Sequence, residues 1–499
     1  MTPDRFDVVI VGGGAAGCVL ARRLSQDGTR RVALLEAGPE LPADEIPAPY
    51  RDGWKIASGG AWTTDWGFRS EPGPAGPSVA LRRGRVLGGT SWMTRFAVRG
   101  PGSDFDAWAA RGNPGWAYED VLPAFRRLET DVEFGGRPEH GDRGPVRITR
   151  YPELPRSEVH LAALDALATI GFRAVEDHNA PAAVGLGPMP MSSRDGHRIT
   201  TLDAYLRADS RPANLDVRTG AEVAVVVVRS GRAEGLRLVD GTLIEAGLVI
   251  LSAGTYGSPP LLLRSGIGPA ADLAELGIAV VADLPGVGRN LADHPGVDLD
   301  SGWRSGPLPE APILHSIATF RSDGRAPSAS PDLMFWLSDP AGPEPAFYFD
   351  PILLKPESRG SVSLRSADPG AAPRIVLPGL TEPRDLERLM EGYRLGTEIA
   401  NQPVFRGLAA EPVARTASEA ELRDRVIAGA YSLPHVVGTC RMGPSPADGD
   451  VVDAGGRVHG IDGLIVADAS IIPEPPAGYP HLITIMLAEH LAAAHAAQN

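Results

Sequence analysis

Hydrophobic and polar positions near the start of the chain follow two different periods. Residues 7–11 are a short β-branched apolar run, and residues 15–26 carry apolar positions at helical spacing. A second apolar run follows at residues 32–35. Strand, turn, helix and strand within about 30 residues predict a βαβ unit with a parallel pair of strands.

Farther along, the pattern predicts helices and strands separated by loops. Residues 37–90 are rich in glycine, proline and tryptophan and predict extended loops. Three apolar runs at 333–337, 347–354 and 361–364 are joined by short turns and predict an antiparallel sheet. Helices are predicted at 105–110, 118–129, 158–170, 201–208, 385–400, 418–428 and 482–497, and further strands at 223–229, 237–238, 248–251 and 463–466. Parallel β/α signals at both ends around an antiparallel region predict interleaved domains of the α/β class.

Composition narrows the class of protein. The 499 residues are 43% hydrophobic, which excludes a disordered chain, and the net charge of −14 disfavours nucleic acid as a partner. The longest apolar stretches are shorter than the ~20 residues of a membrane span. Two cysteines and an apolar run that begins at once, with no leader pattern, favour a cytoplasmic protein.

A glycine-rich turn follows the first predicted strand. Residues 12–17 read Gly-Gly-Gly-Ala-Ala-Gly and match the G-x-G-x-x-G pattern of dinucleotide-binding folds, here between a strand and a helix. Gly12 permits the tight turn, Gly14 lets the backbone approach a pyrophosphate, and Gly17 lets the helix pack on the strand. Glu36 ends the next strand and can bind a ribose diol, which favours FAD or NAD over NADP.

Several later segments resemble the signatures of the glucose–methanol–choline (GMC) flavoprotein oxidoreductases. They occur in the family's order and cover nearly the whole chain: residues 83–91 (RGRVLGGTS), 252–259 (SAGTYGSP), 283–294 (DLPGVGRNLADH), 435–443 (HVVGTCRMG) and 466–470 (VADAS). The resemblance implies FAD as the cofactor. It also implies a Rossmann-like FAD-binding domain built from residues 1–154, 199–298 and 432–499, and a substrate domain with an antiparallel sheet built from 155–198 and 299–431.

The resemblance also implies the residues that surround the cofactor. The expected set is Gly12, Gly14, Ala15, Gly17, Glu36, Val86, Gly88, Gly89, Thr94, Val223, Ala253, Gly254, Asp468, Ala469, Leu482 and Thr484. The chain departs from the family at Thr90 and Thr94, where serine and asparagine are usual. Some members attach FAD through a histidine of this loop, but no histidine lies between Gly88 and Gly100, so we expect non-covalent FAD.

Two of the eleven histidines stand at positions that face the flavin in the family. His435 and His481 each follow a proline, whereas His294 is interpreted as structural and His140, His459, His490 and His495 as solvated or in turns. An imidazole has a pKa near 6.5 and can accept the hydroxyl proton of an alcohol while a hydride leaves its carbon for flavin N5. We expect His435 to be the base and His481 the orienting partner, although paired groups allow the reverse.

The function expected from these features is oxidation of a small-molecule alcohol to an aldehyde or ketone. The electron acceptor stays open between oxygen and a quinone or other carrier. A flavin-containing hydroxynitrile lyase is the alternative on the same scaffold, and a flavin-binding protein without turnover is a third. No cysteine and histidine spacing predicts a metal site. Residues 331–349 and the loop around Trp62 and Trp66 are expected to line the substrate pocket.

Overall fold

A computed structural model describes residues 4–42, 45–54, 64–73, 76–302, 312–341, 346–405, 407–408 and 413–496. Two large sheets organise these residues. No helix of the described chain has both the length and the apolar character needed to cross a bilayer.

The first sheet, which we call the nucleotide sheet, has a parallel core. Its parallel strands stand in the order Leu215–Arg218, Val32–Leu35, Asp4–Val11, Leu243–Leu251 and Leu464–Val466, the last beside the carboxyl half of Leu243–Leu251. The antiparallel pair Val223–Arg229 and Arg232–Leu238 adds to the amino half of Leu243–Leu251. The strand Val32–Leu35 is buried at every position, as expected for a parallel strand covered on both faces.

Two helices from opposite ends of the chain pack together against this sheet. The helix Ala15–Ser25 follows the first strand, and the helix Pro480–Ala496 closes the described chain. Their buried side chains belong to one hydrophobic core together with the strands. This packing brings the amino ends of both helices to the carboxyl edge of the sheet, where ligands bind in open α/β folds.

The second sheet is antiparallel throughout. Its strands stand in the order Ala430–Ser432, Pro295–Val297, Ala346–Leu353, Leu333–Ala341, Leu314–Phe320 and Leu186–Pro188, and Asp300–Gly302 also pairs with Ala346–Leu353. The helices Glu158–Thr169 and Pro383–Ala400 pack against it and bury a core around Phe335 and Phe349.

The remaining elements are short. They are the helices Ala48–Arg51, Gly102–Ala110, Tyr118–Leu128, Thr201–Tyr205, Ser258–Arg264, Ala270–Glu275 and Glu419–Gly429, the 3₁₀ turns Gly89–Met93, Ala208–Ser210, Pro403–Phe405, Pro446–Asp448 and Ala469–Ile471, and the strands Phe68–Arg69, Ala80–Leu81, Glu129–Asp131, Val146–Ile148, Ser193–Arg194, His197–Arg198, Ile267–Gly268, Ala282–Asp283, Ser361–Ser363 and Arg374–Val376.

The α/β class and the antiparallel sheet predicted from the pattern are confirmed, with one correction. The strand Ser361–Ser363 does not join the second sheet but pairs with Arg374–Val376 in a separate two-stranded sheet. A run of only three residues carries no information about which partner it meets. The domain boundaries stay predictions, and the strand Pro295–Val297, inside the segment 199–298, pairs with the second sheet.

Candidate active site

The glycines of the turn after the first strand have two different roles. Gly12 has φ +98°, and a Cβ there would lie 2.5 Å from the carbonyl oxygen of Ser252. A Cβ on Gly17 would lie 1.8 Å from the carbonyl oxygen of Gly12. Around Gly14, in contrast, a Cβ would meet no atom within 4 Å, and no side chain caps the helix that Gly14 begins. Gly12 and Gly17 therefore serve packing, and Gly14 leaves open space beside a helix amino terminus.

Glu36 holds the turn in place from the end of the second strand. One carboxylate oxygen accepts the Gly13 amide at 2.8 Å, and the other accepts the Gly38 amide at 2.8 Å. Burial raises the pKa of Glu36, while these amide donors oppose the shift. Glu36 also borders the open space beside the helix amino terminus.

Three further segments, around Gly88, Gly254 and Asp468, complete this surface. The Gly88 amide donates to the Gly13 carbonyl at 2.7 Å, and a Cβ on Gly89 would lie 2.8 Å from the Cα of Gly14. On the other side, Asp468 accepts the Gly254 amide at 2.9 Å and the Ser258 hydroxyl at 2.6 Å. Backbone from three distant stretches therefore meets around one cleft.

Most residues expected from the sequence line this cleft. Those that do are Gly12, Gly14, Ala15, Glu36, Gly89, Thr94, Val223, Ala253, Gly254, Asp468, Ala469, Thr484, His435 and His481. Gly17, Val86, Gly88 and Leu482 are not among its lining residues. Val86 and Leu482 belong to the hydrophobic core, so they support the cleft from behind.

The two expected active-site histidines come to the same cleft from different elements. His435 lies in a loop, and its own backbone amide donates to a carboxylate oxygen of Asp293 at 2.7 Å. His481 lies in the first turn of the helix Pro480–Ala496. Burial, the neighbouring His294 and Arg83 lower the pKa of His435 well below its usual value. Burial, and after it Arg198, lowers the pKa of His481 to about 4. Both rings are therefore neutral near pH 7.

Sequence analysis assigned no role in the site to three residues at or beside the cleft, and one of them, His294, it interpreted as structural. Nδ1 of His294 lies 3.1 Å from Nδ1 of His435, and the Tyr479 ring packs edge-on against His435 with centroids 4.7 Å apart. Arg83 lies over the Tyr256 ring and donates to the carbonyl of Pro434. The adjacent Asp-His of residues 293–294 was the available signal, but its partner is 141 positions away.

The expected substrate wall is only partly described. Trp66 lines the cleft and stacks on Phe68 with ring centroids 5.6 Å apart, whereas Trp62 lies outside the described residues. The described residues of 331–349 do not line this cleft. Trp336, from that segment, instead contacts Phe96, which contacts Tyr479.

One buried cluster in the described chain has the residue types of a metal site. Glu129, Asp131 and His140 bring their ligand atoms within 4.8 Å of one another. Arg99 pairs with Glu129, and Arg150 pairs with Asp131 at 2.9 Å. His140 is therefore neither solvated nor in an open turn, as the sequence suggested, but lies in a buried charge network away from the cleft.

The fold and the cleft define an α/β protein of the dinucleotide-binding class, in which two imidazoles line the same cleft as the glycine turn. Two family models, both described as GMC oxidoreductase, match residues 6–296 and 356–488. The chain belongs to the GMC oxidoreductase family, whose members are FAD-binding flavoproteins, and it is an oxidoreductase of the alcohol oxidase or dehydrogenase type.

Individual relatives agree with this assignment. The chain is 36% identical to 5-(hydroxymethyl)furfural oxidase of Methylovorus sp. (strain MP688), covering 99% of both chains. It is 33% identical to oxygen-dependent choline dehydrogenase of Photobacterium profundum, covering 98% of this chain and 92% of the relative. Its structure is similar to that of pyridoxine 4-oxidase from Mesorbium loti, with TM-score 0.89, 32% identity and 99% of both chains covered.

The residues of the cleft fit FAD. The open space at Gly14 is what a diphosphate needs beside a helix amino terminus, where amide groups and the helix dipole favour negative charge. Glu36 stands at the end of the second strand, where the adenosine ribose binds in such folds. His435 and His481 line the same cleft as these two residues.

Proposed function

We propose that this protein oxidises primary alcohols carried on an aromatic or heteroaromatic ring, using non-covalent FAD, to the corresponding aldehydes. His435 is the general base, and His481 orients the hydroxyl group. The observation that carries the proposal is that two neutral imidazoles line the same cleft as the open glycine turn at Gly14.

The mechanism follows from the protonation state of the two rings. When bound, FAD supplies the acceptor for the hydride that leaves the carbinol carbon. His435 is neutral near pH 7, so its imidazole can take the hydroxyl proton as the hydride departs and an aldehyde forms. His481 is neutral as well and can hydrogen-bond the same oxygen, which holds the alcohol in one orientation.

The chain also provides for the charge that this step creates. His435 becomes an imidazolium when it takes the proton, and its backbone is held by the buried carboxylate of Asp293. His481 stands in the first turn of the helix Pro480–Ala496, whose amino terminus lies at the cleft. The partial positive charge of a helix amino terminus favours negative charge nearby, here the electron density that the reaction delivers to the cofactor.

Two observations support a flat aromatic substrate. The named relatives include oxidases of 5-(hydroxymethyl)furfural and of pyridoxine. Both of these compounds carry a hydroxymethyl group on an aromatic ring. Aromatic side chains also line the cleft in the described chain: the Tyr479 ring packs against His435, and the Trp66 and Phe68 rings stack on each other. A planar ring could stack on side chains of this kind. Among described residues that line the cleft, the acidic groups are Glu36, Glu222 and Asp468. Glu36 and Asp468 accept backbone amides and Glu222 pairs with Arg85, so these carboxylates already serve other groups and do not favour a cationic substrate such as choline.

The test is anaerobic reduction of the purified yellow protein by an alcohol panel. Benzyl alcohol, 5-(hydroxymethyl)furfural and pyridoxine should bleach the flavin absorption, and choline should bleach it much more slowly. Readmission of air with oxygen uptake would identify oxygen as the acceptor, and recovery only with an added quinone would identify a dehydrogenase. Persistent colour across the panel together with cleavage of mandelonitrile would replace the proposal by a hydroxynitrile lyase.

A matched pair of variants isolates the base. His435→Ala should lower the reduction rate by about 10²–10⁴-fold, the usual contribution of a general base, while FAD stays bound. His459→Ala removes an imidazole outside the cleft that hydrogen-bonds the Gly443 carbonyl, and it should leave the rate unchanged. Near-normal reduction in His435→Ala would refute the role of this residue.

A further inference from the structure

The ring of His435 has a hydrogen-bonding partner behind it. Nδ1 of His294 and Nδ1 of His435 lie 3.1 Å apart, with the ring planes at 87°. Two Nδ1 atoms at this distance need one proton between them, so one ring donates and the other accepts. Which ring donates decides where the second nitrogen of His435 carries a lone pair.

The surroundings of His294 determine its protonation state. The ring is 1% exposed, and burial lowers its pKa to about 4, with Lys355 adding to the shift. The carbonyl groups of Pro476 and Leu354 and the carboxylate of Asp104 raise the pKa of His294 and so partly oppose this shift. His294 is therefore a neutral imidazole that carries a single ring proton.

That single proton is favoured on Nε2. Nδ1 faces His435, and the neighbouring backbone groups that act on the ring are carbonyls, which can only accept hydrogen bonds. Nε2 makes no hydrogen bond of ordinary geometry in the structure, so the carbonyl contacts are loose, but they offer nothing to a lone pair. Nδ1 of His294 is then left as the acceptor.

We propose that His294 is a positioning residue that holds the proton of His435 on Nδ1, and so keeps Nε2 of His435 unprotonated to receive the hydroxyl proton of the alcohol. A hydrogen bond to one ring nitrogen of a catalytic histidine commonly decides which tautomer is present and so which nitrogen acts as the base. After proton transfer the imidazolium of His435 still donates from Nδ1 to His294, so the new charge keeps its acceptor. Asp293 supports both rings, because one oxygen accepts the backbone amides of His294 and His435.

The charged and titratable groups around this pair are few in the described chain. His294 faces Lys355, Asp104 and His435, and His435 faces His294 and Arg83, with the Tyr479 ring packed against it. Lys355 is held by Asp104 at 2.9 Å. Asp293 is buried, which raises its pKa to about 6.

This inference rests on the proposed role of His435, and the experiment separates the two. The variants are His294→Ala, which removes the acceptor, and His294→Asn, whose side-chain oxygen can stand at the position of Nδ1. His178→Ala is the matched control, because His178 is a buried histidine that contacts the Ile317 carbonyl outside the cleft. Each holoenzyme is labelled with ¹⁵N-histidine, and the His435 signals are assigned from their loss in His435→Ala.

The wild-type protein should show His435 with a protonated Nδ1 and an unprotonated Nε2. His294→Ala should shift protonation toward Nε2 and lower anaerobic flavin reduction by benzyl alcohol about 10²-fold, part of the general-base contribution, with little change in the half-saturating concentration. His294→Asn should restore both the tautomer and most of the rate, and His178→Ala should alter neither.

Each contrary result has a distinct meaning. A wild-type His435 protonated on Nε2 overturns the inference whatever the enzyme oxidises. A rate loss in His294→Ala with an unchanged tautomer, or one that Asn does not rescue, makes the residue merely structural and also overturns it. If no alcohol reduces the wild-type flavin, the proposed function fails, while the ¹⁵N signals still decide the tautomer.

Discussion

The glycines of the nucleotide turn provide a test that separates cofactor binding from folding. Gly14 and Gly17 are three residues apart in one motif, yet the structure gives them opposite surroundings. A Cβ on Gly14 meets no protein atom within 4 Å, whereas a Cβ on Gly17 would lie 1.8 Å from the Gly12 carbonyl oxygen. We therefore expect Gly14→Val to yield a folded protein without FAD, and Gly17→Ala to impair folding itself.

The expected magnitudes follow from the local backbone. Gly14 has φ −82° and ψ −157°, an extended conformation that any residue adopts, so the substitution should cost the apoprotein only about 1 kcal/mol as a poorer helix cap. Gly17 lies inside the helix, where alanine alone would gain about 1 kcal/mol over glycine. Forced overpacking typically costs about 1–3 kcal/mol. The 1.8 Å approach to a backbone oxygen, which cannot move aside as a side chain can, places this substitution at the upper end of that range and reverses the sign.

The assay measures the two consequences separately. Thermal unfolding of apoprotein reports stability, and the ratio of flavin to protein absorption after reconstitution with excess FAD reports loading. Gly136→Val is the control, because Gly136 lies in an exposed turn with open space around it. Gly14→Val should unfold within a few degrees of wild-type apoprotein and stay colourless, and Gly136→Val should match wild type in both.

Two results would refute this reasoning. A Gly14→Val protein fully loaded with FAD would show that the diphosphate does not approach the backbone there. A Gly17→Ala protein as stable as wild type would show that the close helix–strand contact is not required.

Further predictions concern pH, cofactor attachment and the buried charge network. Anaerobic flavin reduction should not vary between pH 7 and 9, because the lowered pKa values keep His435 and His481 neutral there and Asp293, with its pKa raised to about 6, is ionised; a rate that rises through a pKa within this range would contradict those shifts. Acid precipitation should leave the flavin in the supernatant, since no histidine lies between residues 88 and 100, and a yellow pellet would show a covalent link. His140→Gln should lower stability at pH 7 by about 3 kcal/mol, as expected for a broken buried ion pair. The pKa of His140 is raised to about 10 by its carboxylate partners against the opposing effect of burial, so its stabilisation is complete below the unfolded pKa. The difference in free energy of unfolding between wild type and His140→Gln, measured in urea, should therefore shrink as pH rises toward 10. A difference that stays constant over that range would count against a protonated His140.

The parts of the site that could be predicted are those encoded by contiguous residues. The turn at residues 12–17 and the carboxylate of Glu36 belong to one βαβ unit, whose spacing alone places them together. The histidines at 435 and 481 were recognisable because each follows a proline and precedes a segment that resembles the active-site walls of the family. Recognising them did not depend on contacts with residues far away in the sequence.

Other features depend on contacts that no local pattern records. The pairing of His294 with His435 joins positions 141 residues apart, and the network around His140 gathers Arg99, Arg150 and Asp177 from separate segments. The strand Ser361–Ser363 pairs with Arg374–Val376 and not with the second sheet, a choice of partner that its own three residues do not indicate. Such choices are made by the packing of the whole chain.

From its residue order alone, the chain specifies the α/β class, the glycine turn and the two candidate active-site imidazoles, because short-range periodicity and backbone freedom depend on neighbours in the chain. Folding in three dimensions settles which glycines serve packing and which leave room, how low the imidazole pKa values fall, and which side chain stands behind His435. Desolvation, steric overlap and hydrogen-bond partners are properties of the atoms that surround a group, and most of those atoms come from distant parts of the chain.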